Sequence, residues 1–139
     1  MWYHYVSMAE IMVVDDIEDI RTLISVILKK AGHRVIACAS GPEMLKKLGL
    51  QPNDKSAKLP DILVVDVMMP GMNGYTVGSS IRSDPRTQHI PNLVVSGLRE
   101  INRLVAGTFP ADCFLNKPFT PDELIGKVAM VLDKRQAQA

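Results

Sequence analysis

The sequence predicts an α/β domain, doubly wound, with a five-stranded parallel sheet held between layers of five helices. Three observations carry this. Short apolar runs alternate along the chain with segments whose apolar residues recur every three or four positions. The strand runs are apolar on both faces, so both faces need cover, which a parallel sheet obtains from crossover helices. At 139 residues, 47% hydrophobic and 22% charged, the chain fits one domain with a real core.

Ile11-Met12-Val13-Val14 is the first strand run and stops at Asp15-Asp16. Ile20, Leu23, Ile24, Ile27, Leu28 and Ala31 then mark an amphipathic helix, with Asp16 or a neighbour expected as its cap and Gly32 just past its end. Arg34 to Ala39, containing Val35 and Ile36, reads as the second strand. Ser40-Gly41-Pro42 opens a helix through Glu43, Met44, Leu45 and Leu48, with proline suited to the first turn. Residues 49–60 are polar and carry Pro52 and Pro60, so they read as a surface loop.

Ile62-Leu63-Val64-Val65 is the most apolar strand run, and it ends at Asp66. After the Pro70-Gly71-Met72-Asn73-Gly74 turn a helix follows through Tyr75, Val77, Ser80 and Ile81. Leu93-Val94-Val95 forms the fourth strand and ends at Ser96-Gly97; Ile101, Leu104 and Val105 mark a short fourth helix. Cys113-Phe114-Leu115 is the fifth strand, ending at Asn116-Lys117-Pro118. Thr120 and Glu123 have the spacing of a capping box at the start of a fifth helix through Leu124, Val128, Val131 and Leu132. Residues 1–8 read as an extension, 9–133 as the domain and 134–139 as a tail.

A formal charge of +1 argues against direct nucleic-acid contact as the domain's purpose. No apolar run approaches the roughly 20 residues that cross a bilayer. Met1 to Glu10 lacks the pattern of a signal peptide, and a cytoplasmic protein is expected. Cys38 and Cys113 lack C-x-x-C spacing and read as core thiols in a reducing compartment. His4, His33 and His89 are scattered without metal-ligand spacing, and Met68, Met69 and Met72 sit among hard oxygen donors that do not suit copper.

Right-handed crossovers bring the C-terminal ends of all the strands to one edge, where such sheets bind ligands. The residues that fall there are Asp15, Asp16, Asp66, Ser96 and Lys117. Crowded carboxylates repel and raise one another's pKa, and a divalent cation such as Mg²⁺ makes the crowd tolerable. With a lysine and a hydroxyl beside them they describe a site for an oxyanion bonded to a carboxylate, as phosphoryl transfer needs. Taken singly these residues have ordinary readings, Asp15 and Asp16 as a helix cap and Lys117 as a solvated surface group.

The motifs V-V-D-D at Val13 to Asp16, V-V-D-V-M-M-P-G-M-N-G at Val64 to Gly74, V-V-S-G at Val94 to Gly97 and N-K-P-F at Asn116 to Phe119 come in one order over about residues 9–133. In this the chain resembles the receiver domains of two-component response regulators, the chemotaxis regulator among them. The resemblance implies a flavodoxin-like sandwich with strand order 2-1-3-4-5. It implies that Asp66 takes a phosphoryl group from the phosphohistidine of a sensor histidine kinase or phosphotransfer protein. Asp16 resembles a direct metal ligand and Asp15 one acting through water; Asp66 and the backbone carbonyl of Met68 complete the set for Mg²⁺, with Mn²⁺ as a substitute. Ser96 resembles the switch hydroxyl, Lys117 its ionic partner and Phe114 the aromatic rotamer switch. The Lys117-Pro118 bond resembles one that is cis in the family. Such a module is a phosphoacceptor rather than a turnover enzyme, catalysing its own phosphorylation and hydrolysis. It would act on a partner protein through its fourth helix, fifth strand and fifth helix, relay phosphate onward, or be a piece of a longer regulator.

Some positions depart from the family's pattern. Phe114 lacks the hydroxyl of the frequent tyrosine, and Phe109-Pro110 stands where a glycine-containing turn is usual. Met68 and Leu98 cannot orient an attacking water, which implies slow loss of phosphate. An aspartyl phosphohydrolase of the haloacid dehalogenase type would need an acid where Met68 stands. A receiver that binds partners without phosphorylation would not need competent residues at all five site positions.

Overall fold

Chain order in the computed structural model, which describes residues 8–66, 74–97 and 111–138, is β1 (Glu10–Val14), α1 (Glu18–Lys30), β2 (Arg34–Cys38), α2 (Gly41–Lys47), β3 (Ile62–Val65), α3 (Gly74–Ser83), β4 (Asn92–Ser96), β5 (Cys113–Asn116) and α4 (Pro121–Gln138). The strands form one parallel sheet in the order β2-β1-β3-β4-β5, the implied topology. Five helices were expected, and four stand among the described residues. The expected helix through Ile101, Leu104 and Val105 lies outside them, as do Met68 and Leu98, Phe109-Pro110 and the Pro70-to-Asn73 turn. The last helix runs to Gln138, through the stretch 134–138 assigned to a tail. Among the described residues no helix is long and apolar enough to cross a membrane.

The two-faced apolarity of the strands builds two cores. Ile11 and Val13 of β1, Ile62 and Val64 of β3, and Leu93 and Val95 of β4 meet Ile24, Ile27 and Leu28 of α1 and Leu124 and Val128 of α4. The alternate residues Met12, Val14, Leu63, Val65 and Val94 meet Met44 and Leu45 of α2 and Val77 and Ile81 of α3. This is the period of two expected of a pleated strand, used on both sides. Cys38 is fully buried in the second core, where burial pushes its thiol up to about 11. Cys113 is half-buried against the first.

The helix ends follow local chemistry. Thr120 and Glu123 form the expected capping box: Glu123 N–H donates to Thr120 Oγ1 at 3.1 Å and Thr120 N–H to Glu123 Oε1 at 2.9 Å. Past α1, Gly32 N–H donates to Lys29 O and His33 N–H to Leu28 O, the paired bonds of a Schellman motif, with Gly32 at φ +99. The start of α1 corrects an expectation. Its N-cap is Ile17, with no side-chain cap, because Asp15 and Asp16 are directed to the sheet edge instead.

At the N-terminal ends of the strands one device occurs twice. Asp61, just before β3, accepts the Glu10 N–H on its carboxylate at 2.8 Å and gives its own N–H to Glu10 O at 2.7 Å. Asp112, just before β5, does the same with Asn92, at 2.8 and 3.0 Å. The loop 49–60 is tied down by Arg86, whose guanidinium donates to Asp54 O, Gly49 O and Asn53 Oδ1 while pairing with Asp84.

Candidate functional site

The sheet register sets Asp15 beside Asp66. Val14 pairs with Val65, so the next residue of each strand lies level with the other, and Asp66 N–H donates to Val14 O at 2.9 Å. Alternation then decides the face. Asp15 continues the parity of Ile11 and Val13, Asp66 that of Ile62 and Val64, and Lys117 that of Cys113 and Leu115, all on the side covered by α1 and α4. Three residues 51 or more positions apart therefore converge, and Lys117 Nζ lies 3.3 Å from Asp15 Oδ2 and 3.2 Å from Asp66 Oδ2.

Asp15 is 1% exposed and Asp66 7%, whereas Asp16 reaches solvent. One carboxylate oxygen from each of the three lies within 4.8 Å of the others. Burial pushes the Asp15 carboxyl above its ordinary value, and the neighbouring Asp66 charge adds to this; the Ile17 N–H and Lys117 pull the other way. Ile17 N–H donates to Asp15 Oδ1 at 2.9 Å. Three carboxylates and one ammonium leave two negative charges, the complement of one divalent cation. Carboxylate oxygen is also the donor that Mg²⁺ takes, so the residues present fit that ion. Lys117 places a positive charge beside the Asp66 carboxylate.

Ser96, 1% exposed, ends β4, and its carbonyl accepts Lys117 N–H at 2.7 Å, which ties the fifth strand's exit to the fourth's. By parity Ser96 is in step with Val94, and Phe114, half-buried against the second core, lies on that same side. Within β4 and β5, Ser96 and Phe114 are thus in step with the residues of the second core. The Lys117-Pro118 peptide is cis, as the resemblance implied. Met68, whose carbonyl was assigned to the metal, lies outside the described residues. Sequence reasoning missed Arg21, whose Nη1 donates to the Asp15 carbonyl at 2.8 Å. The only signal was its place in the first turn of a helix that follows the acidic pair closely.

The family model described as "Response regulator receiver domain" matches residues 11–129. The alkaline phosphatase synthesis transcriptional regulatory protein PhoP of Bacillus subtilis is 32% identical over 130 residues, which are 94% of this chain and 51% of that protein. The response regulator PleD of Caulobacter vibrioides is 36% identical over 124 residues, 86% of this chain and 25% of its own length. Among solved structures, chemotaxis protein CheY4 of Vibrio cholerae superposes with a TM-score of 0.76 at 28% identity, covering 90% of this chain and 99% of that one. The chain spans about half the length, or less, of these curated relatives.

Proposed function

This chain belongs to the response regulator receiver domain family, whose members accept phosphoryl groups in two-component signalling, and on that premise we propose that Asp66 is its phosphoacceptor. The observation that carries the reading is Lys117 Nζ bridging Asp15 and Asp66 at the edge of a three-carboxylate cluster. An oxygen of Asp66 forms the new P–O bond as the P–N bond of a donor phosphohistidine breaks; the departing nitrogen keeps the bonding pair and takes up a proton. A sensor histidine kinase or a phosphotransfer protein supplies that donor. Mg²⁺ bound by Asp15, Asp16 and Asp66, with the Met68 carbonyl as a further ligand and Mn²⁺ as a substitute, would neutralise charge on the phosphoryl oxygens.

Lys117 exchanges a carboxylate for a phosphoryl oxygen as its partner. Ser96, at the end of β4, hydrogen-bonds a second oxygen. Phe114 repacks with it, altering the surface of the fourth expected helix, β5 and α4 to which a protein target binds. Hydrolysis of the acyl phosphate by the domain itself resets the switch.

The receiver unit is 9–133, flanked by 1–8 and 134–139. Several relatives are named as transcriptional regulators, and one of these is named as DNA-binding. The near-neutral charge of this chain favours protein contacts for this unit, in the cytoplasm, over direct contact with nucleic acid or membrane. Acetyl phosphate with Mg²⁺ followed by intact mass tests the assignment. Wild type should gain about 80 Da, one phosphoryl group, and Asp66→Asn nothing. An unmodified wild type, or a modified Asp66→Asn, sinks it.

A further inference from the structure

Arg21 lies in the first turns of α1 and turns its side chain back over the loop that carries the acidic pair. Its backbone N–H makes the first helical bond, to Ile17 O at 2.9 Å, and its Nη1 reaches back past Asp16 to donate to the Asp15 carbonyl oxygen at 2.8 Å. The Asp15 carbonyl and the Asp16 nitrogen belong to one planar peptide. A hydrogen bond on that oxygen therefore fixes the rotation of the plane from which Asp16 leaves.

Asp16 has need of this. Asp15 is held by its N–H on Cys38 O, by Ile17 N–H on Oδ1 and by Lys117 on Oδ2. Asp16 is exposed, and no hydrogen bond among the described residues reaches its carboxylate. With no side-chain bond to hold it, the backbone sets only the direction in which its Cα–Cβ bond leaves the chain. We infer that Arg21 is a positioning residue for the divalent-cation site: it orients the Asp15–Asp16 peptide and so aims the Asp16 carboxylate at those of Asp15 and Asp66. This rests on the metal site assigned under the proposed function. Groups that orient a ligand from behind change metal affinity by about 10- to 100-fold when removed, and Arg21 acts through a single bond on the backbone, so the lower figure applies.

The test is Mg²⁺ titration of the full chain by calorimetry, on wild type, Arg21→Met and Asp16→Asn, with urea unfolding of each in EDTA. Arg21→Met should bind Mg²⁺ about ten-fold more weakly while its urea midpoint stays close to wild type. Its rate of phosphorylation by acetyl phosphate should return to the wild-type value when Mg²⁺ is raised in proportion, a recovery that a merely structural role would not produce. An unchanged Kd in folded Arg21→Met, with Asp16→Asn impaired, overturns the role of Arg21 and leaves the metal site standing. A wild type that binds no Mg²⁺ overturns both. Should Arg21→Met not fold, Arg21→Gln, too short to reach the carbonyl, is read in the same way; if neither folds, Arg21 is structural and the positioning role is wrong.

Discussion

Strand β3 has an aspartate immediately before it and another immediately after it, and the two are used in opposite ways. Asp61 meets the start of a neighbouring strand, where the first N–H has no ladder partner, and its carboxylate supplies one. Asp66 comes out at the other end, level with Asp15, where its carboxylate meets another acid and a lysine. Asp112 and Asp15 repeat the contrast on β5 and β1. The lesson is one of strand polarity. An acid at a strand's beginning completes the hydrogen bonding of the fold, and an acid at its end joins a like-charged cluster that stability alone would not select.

The contrast can be broken from the lower end, where every change should cost stability. Gly49 sits at φ +71, and a Cβ there would collide with the Asp54 carbonyl in the loop that Arg86 ties. Gly49→Ala should cost about 2–3 kcal/mol in urea unfolding. Asp61→Ala and Asp112→Ala should each cost about 1–2 kcal/mol, since each strands a backbone N–H, and the Asp→Asn versions should cost less because an acceptor remains.

His33 gives the smallest effect, and a sign. Its buried Nδ1 accepts the Ala9 N–H at 3.1 Å, which requires a neutral ring, and burial holds its pKa below the ordinary 6.5. As pH falls past 6.5 the unfolded chain binds a proton that the folded chain refuses, so stability is intact above that value and is lost toward the lowered folded pKa. Urea midpoints between pH 7.5 and 5.5 should decline gently in wild type, and His33→Gln should remove His33's share of the slope.

Much of this was legible before any coordinates. Apolar runs two-faced enough for a buried parallel sheet marked all five strands, and what ended each run, Asp15, Asp66, Ser96 or Lys117, named the edge residues. Two things were not. Asp15 and Asp16, already placed at the edge, also looked able to cap the helix that follows, and only the structure shows that helix with Ile17 at its N-cap and no side-chain cap. The bonds of Asp61 to Glu10, of Asp112 to Asn92 and of Arg86 to residues 49–54 join positions far apart in the chain, so no local period announces them. Arg21 was overlooked for another reason: it acts on a backbone oxygen, and nothing in a residue's type says which carbonyl it will find.

The opposed roles of the two ends are tested most directly by urea unfolding of wild type and Asp16→Asn, first in EDTA and then in Mg²⁺. In EDTA the variant should unfold at the same or a slightly higher urea concentration than wild type, because a repelling charge is gone and no bond is lost. Mg²⁺ should raise the wild-type midpoint and move the variant far less, since an ion that binds only the folded state stabilises it. A variant weakened in EDTA as much as Asp61→Ala, or a wild type indifferent to Mg²⁺, would contradict the account.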